Sequence, residues 1–112
     1  QGIEEASLVG GDCPDEGIEA SKLGWQHGFV VRALKFDSGA SIPAHIRAEE
    51  EVIFVHQGSL TISVDGSEIT LTQGDNFTTP IGSSRSFANS TQQESIVYIT
   101  RGGNKPKAPQ FD

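Results

Sequence analysis

The stretch Gly39 to Gly58, GASIPAHIRAEEEVIFVHQG, decides the fold. Its second half, Glu51 to Gln57, is a nearly continuous apolar run of strand length closed by a glycine, the pattern of a strand covered on both faces. Side chains of a strand alternate between faces, so His45, Arg47, Glu51, Ile53 and Val55 share one parity. In a regular strand pair the first three point inward above an apolar floor. Charge on an inner face is costly unless paired, so the placement implies either a mutual salt bridge or a ligand site.

Strand signals continue on both sides. Phe29 to Phe36 is apolar on both alternating faces apart from Arg32 and Lys35, and Asp37-Ser38-Gly39 turns. Ser59 to Asp65 alternates, with Leu60, Ile62 and Val64 on one face and Thr61 and Ser63 on the other. Asp65-Gly66 is a type I′ hairpin signal, because both central positions take positive φ. Ser67 to Thr72 returns with Ile69 and Leu71 toward the core. Turns at Gln73-Gly74-Asp75 and Pro80-Ile81-Gly82 bracket a short strand from Asn76 to Thr79. Another short strand follows from Arg85 to Asn89, and Glu94 to Arg101 carries Ile96, Val97, Tyr98 and Ile99. About eight strands at turn spacing of roughly 8 to 12 residues predict an all-β sandwich or barrel. Around the barrel at 29–101, residues 1–28 read as an acidic, glycine-broken arm and residues 102–112 as a tail or edge wrap. Trp25 and His27 are expected to dock the arm, and its apolar residues Ile3, Leu8 and Val9, with exposed barrel edges, suggest a homodimer.

Composition agrees. A chain of 112 residues holds one hydrophobic core, and 35% hydrophobic residues with 13 Gly and 5 Pro suit short strands and frequent turns. The formal charge of −7, with no basic run or stripe, excludes nucleic acid and anionic membrane as expected partners. No apolar stretch approaches the ~20 residues of a membrane span, and no signal-peptide pattern opens the chain. These features point to a soluble protein, with the cytoplasm as the expected compartment. A lone cysteine, Cys13, has no partner for an intrachain disulfide. With no methionine in the chain, a processed form or one half of a longer protein is expected.

A second stretch, Gly74 to Asn89, reads GDNFTTPIGSSRSFAN, and the two together resemble the paired motifs of the cupin superfamily. The first family motif is a glycine, two histidines, a glutamate and a closing glycine. Gly39, His45, Arg47, Glu51 and Gly58 hold those positions. The second is a glycine, a proline, a glycine, a histidine and an asparagine, here Gly74, Pro80, Gly82, Arg85 and Asn89. The resemblance implies a small single-domain RmlC-like cupin: an all-β double-stranded β-helix, or jelly-roll barrel, with its chemistry in the barrel mouth and a homodimer as the common assembly.

In metal-binding cupins the motif's three histidines and one glutamate hold a divalent transition metal. Arginine replaces two of them here, at Arg47 and Arg85, and a guanidinium has no lone pair to donate. Only His45 and Glu51 remain as candidate ligands, too few to hold a transition metal firmly beside two fixed positive charges. His56 has the opposite strand parity from Glu51, and His27 lies on another segment. The expectation is a mouth without metal or other cofactor. Two guanidinium groups and one carboxylate keep it cationic, suited to a small anionic or polyhydroxylated ligand held by His45, Arg47, Glu51, Arg85 and Asn89. The alternatives are a metal-dependent cupin enzyme (dioxygenase, isomerase or lyase) with an unusual ligand set, and a metal-free sugar epimerase or dehydratase. In the latter His45 acts as general acid or base and Glu51 orients it.

Overall fold

The computed structural model describes residues 2–9, 28–103 and 107–112; Cys13, Trp25 and His27 lie outside them. Ten strands follow in order: β1 Ile3–Val9, β2 Phe29–Phe36, β3 Ser41–Ile46, β4 Glu51–Gln57, β5 Ser59–Val64, β6 Ser67–Thr72, β7 Asn76–Thr79, β8 Ser84–Ala88, β9 Ser95–Gly102 and β10 Gln110–Phe111. They form two five-stranded antiparallel sheets, ordered β1-β2-β9-β4-β7 and β10-β3-β8-β5-β6. Sequence neighbours β2 and β3, or β4 and β5, thus sit in opposite sheets, which is the jelly-roll wiring. No helix among the described residues is long and apolar enough to cross a membrane.

The alternation read from the sequence fills the space between the sheets. Val30, Leu34 and Phe36 from β2, Ile53 and Val55 from β4, and Val97 and Ile99 from β9 face Leu60, Ile62, Leu71 and Phe87 of the other sheet, all buried. Each large apolar side chain so withdrawn from water contributes about 1.5–3 kcal/mol. Ile69 has the inward parity expected of it, yet it is 41% exposed because β6 is an edge strand. The β5–β6 hairpin turns on Asp65 and Gly66, at φ 48° and 86°, as the type I′ reading requires. Gly58, at φ 80°, ends β4 where a Cβ would lie 2.8 Å from the Glu94 carbonyl oxygen, so only glycine fits between β4 and β9.

Each terminus adds an edge strand to the sequence reading. Within 1–28, read as an arm, Ile3–Val9 is an edge strand paired with β2. Glu4 reaches Lys35 at 3.4 Å and Glu5 reaches Arg32 at 3.5 Å, so these carboxylates form the polar edge of a sheet. Ile3, Leu8 and Val9, expected on a free arm, belong to this strand. At the other end β10 pairs with the tail of β3, Gln110 opposite Ile46 and Phe111 opposite His45. The edge wrap is therefore a strand, and it lies beside the mouth.

Candidate functional site

The charged residues collect at one end of the space between the sheets. Glu51 opens β4 and lies opposite both Thr79, at the end of β7, and Arg101, near the end of β9. From the facing sheet come Arg85, near the start of β8, and His45, its cross-strand partner on β3. Arg47 follows β3 directly.

The Glu51 carboxylate is fully buried and is met by three guanidinium groups. Arg85 Nη1 donates to Oε1 at 2.8 Å, and Arg101 Nε donates to Oε2 at 2.6 Å. Arg47 Nε stands 3.4 Å from Oε2, an ion-pair distance without a hydrogen bond. Arg85, also fully buried, gives its remaining reach to the backbone, Nε to the Ser83 carbonyl at 3.0 Å and Nη2 to the Pro80 carbonyl at 2.6 Å. Glu51 and Arg85 are thus a bolt between the two sheets. Breaking such a buried pair strands a charge, whereas replacing all its members by apolar groups is often harmless.

Arg101 was missed by sequence reasoning, although its signal was available. It shares the parity of Val97 and Ile99 on β9, so it had to point inward with them. Glu49 is also part of the cluster: its Oε1 stands 3.7 Å from Arg47 Nη1, and both side chains are only 12% exposed. Three guanidinium groups against two carboxylates leave the mouth one positive charge, the sign expected from Arg47, Arg85 and Glu51 alone. Burial, then the Arg101 charge, push the Arg47 guanidinium below its ordinary value, though an arginine stays charged at any ordinary pH.

His45 is buried, its ring against Phe87 on one side and Phe111 on the other. A register shift at Pro43, which has no N–H to give to the ladder, turns the strand so that His45 Nδ1 hydrogen-bonds the Pro43 carbonyl at 2.8 Å. That contact puts the ring hydrogen on Nδ1. Burial outweighs this bond and the Glu51 charge, and lowers the His45 pKa, so the ring is neutral at pH 7. Glu51 hydrogen-bonds Arg85 and Arg101, not His45, among the described residues, so the acid–base pair imagined from the sequence has no orienting bond.

The structure does not bring Asn89 to this cluster. Its Nδ2 donates to the carbonyls of Phe36, Asp37 and Gln93, and its Oδ1 accepts from the Thr91 amide and hydroxyl. It lies four strand positions from Arg85, roughly 13 Å along β8, at the opposite end of the interior. It organises loops. His56, of outward parity as expected, packs on Tyr98 on the outer face of β4 and β9.

The donor set does not fit a metal ion. Two of the four motif positions are guanidinium groups, both Glu51 oxygens face arginines, and among the described residues no three His, Cys, Asp or Glu side chains gather at metal-binding distance.

The family model for the cupin domain matches residues 33–100. The fold is similar to that of a cupin 2 domain-containing protein from Halorhodospira halophila, 18% identical at a TM-score of 0.80 over 99% of this chain and 70% of that one. It is similar also to the Cnp3 cupin domain of Schizosaccharomyces pombe, 18% identical at 0.73 over 92% of this chain, which spans 66% of that domain. A recombinant oxalate oxidase in complex with glycolate matches at 20% identity and 0.76, over 98% of this chain and 55% of that one. No curated protein matches the chain in sequence.

Proposed function

The chain belongs to the cupin family, and we propose that within it this domain binds a small anionic or polyhydroxylated molecule at the barrel mouth without metal, Arg47 making the first contact. The observation that carries the reading is the state of Arg47. It sits at the rim of a cluster with surplus positive charge, and its Nε is buried without a hydrogen-bond partner. Such an orphan donor costs about 1–3 kcal/mol, which an incoming oxygen recovers. A guanidinium fork matches carboxylate and phosphate, so carboxylates come first among candidate ligands. The oxalate oxidase that shares the fold was solved with one, glycolate.

Arg85 has a different part. Its three bonded nitrogens already hold Glu51 and two carbonyls, so it supports the floor beneath the ligand and does not grip it. Thermal unfolding measured across a series of carboxylates, sugar acids and phosphate tests the reading. At least one should raise the midpoint of the wild-type chain, and Arg47→Ala should abolish the rise. A wild-type midpoint unmoved by every ligand, or an undiminished rise in Arg47→Ala, overturns it.

A further inference from the structure

Residues 107–112 lie along the mouth and are held there by named contacts. Phe111 packs on His45, the Asp112 amide donates to the Ala44 carbonyl at 3.1 Å, and Ser84 Oγ donates to Asp112 Oδ2 at 2.8 Å. The contact at Lys107 is of another kind. Its backbone N–H donates to Glu49 Oε2 at 2.9 Å, and its carbonyl accepts from Arg47 Nη1 at 3.0 Å. Both groups belong to one residue and are joined through one Cα, so a carboxylate and a guanidinium grip an N–Cα–C=O unit from its two ends.

That unit is the skeleton of an α-amino acid. The peptide version leaves work undone, because among the described residues Arg47 Nε and Glu49 Oε1 are the two buried side-chain nitrogen or oxygen atoms without a hydrogen bond, each held only at ion-pair distance, 3.4 Å from Glu51 Oε2 and 3.7 Å from Arg47 Nη1. A peptide carbonyl has one oxygen, already on Nη1; a carboxylate has two, and the second can take a further N–H from the terminal nitrogens of the same guanidinium. A peptide nitrogen has one hydrogen, already on Oε2; an ammonium has three and can also serve Oε1. Glu49 Oε1 is therefore an atom that a neutral peptide leaves without a hydrogen bond and a zwitterion can satisfy. Hydrogen bonds between ionised partners are also roughly twice as strong as neutral ones. The Lys107 residue is exposed, so side chains of many kinds can point to solvent.

We infer that Arg47 and Glu49 form a receptor for a free α-amino acid, whose ammonium, Cα and carboxylate take the place that the Lys107 backbone holds at rest. The inference rests on the anion-binding reading above and adds the ligand class and its competitor, the chain's own tail. The tail is fit for displacement, since only two of its residues pair in the sheet.

Isothermal titration of the full chain with alanine, propionate, lactate and N-acetylalanine tests this, with amide hydrogen exchange of residues 107–112 in parallel. Alanine should bind at least about tenfold more tightly than propionate or N-acetylalanine, since only it carries an ammonium for Glu49. Saturating alanine should also release the protected amides of Lys107 and Asp112. Glu49→Gln should abolish the advantage of alanine over propionate, while propionate itself binds no more weakly once the carboxylate beside Arg47 is gone. Phe111→Ala, which loosens the tail, should tighten alanine binding. Propionate or lactate equal to alanine, or alanine bound with the tail still protected, overturns the amino-acid assignment and leaves the anion reading standing. If no carboxylate binds either the wild type or Phe111→Ala, both readings fall.

Discussion

The two ends of the barrel interior solve the same problem with different materials. At one end Asn89, buried to 1% exposure, uses a neutral amide to join three carbonyls and Thr91, tying the loop after β8 to the end of β2. At the other, Glu51 is buried completely and joins three guanidinium groups from both sheets. Each end pins one sheet to the other. The amide end is balanced within the chain, whereas the ionic end keeps a positive charge and an orphan donor. One family motif position thus serves structure at Asn89, while another, Arg47, keeps a buried Nε without a hydrogen bond at the mouth.

The sharpest way to break this comparison is Glu51→Ala, which leaves three guanidinium groups against the single carboxylate of Glu49. A loss of about 3–5 kcal/mol is expected in urea unfolding, enough to unfold many domains of this size. Glu51→Leu combined with Arg85→Met and Arg101→Met should lose far less, since an apolar triad of similar volume avoids desolvating any charge. A triple variant as unstable as Glu51→Ala would show that the ions are needed for more than mutual neutralisation. Asn89→Ala comes next, orphaning carbonyls rather than charges, at about 2 kcal/mol. Its carboxylate response should be that of the wild type, and loss of the response would return Asn89 to the site.

The smallest effect separates the ends by pH. The His45 pKa is lowered in the fold, chiefly by burial and further by Arg47 and Arg85, against the opposing pull of Pro43 and Glu51. The unfolded chain therefore binds the extra proton first. The stability of the neutral ring is full above the ordinary histidine value of about 6.5 and is lost as pH falls through the folded value. His45→Phe should flatten this acid-side decline in unfolding midpoint, while Asn89→Ala should leave its slope unchanged. An unaltered slope in His45→Phe would place the titration elsewhere.

Much of this was legible in the residues. β2, β4, β6 and β7 have the predicted bounds, and the Asp65-Gly66 turn follows from two adjacent residues able to adopt positive φ. The pairing of Glu51 with Arg85 was one of the two outcomes that inward charge allowed. What stayed hidden depends on contacts distant in the chain. β1 has too few apolar residues to announce a strand and is defined by its ladder with β2. The grip on Lys107 joins residues nearly sixty apart, and no local period records it. Arg101 is the exception, legible from its parity with Val97 and Ile99 yet lying outside both motif stretches.

The edge of β3 has one more consequence, for colloidal behaviour. An open strand edge is a template on which other chains can pair and aggregate. Here His45 and Ile46 are paired with β10, and the Ala44 carbonyl is occupied by Asp112. Pro43 has no amide hydrogen to offer. The few residues after Lys107 therefore also act as a stopper on sheet growth, and any variant that frees them should be watched for turbidity on concentration.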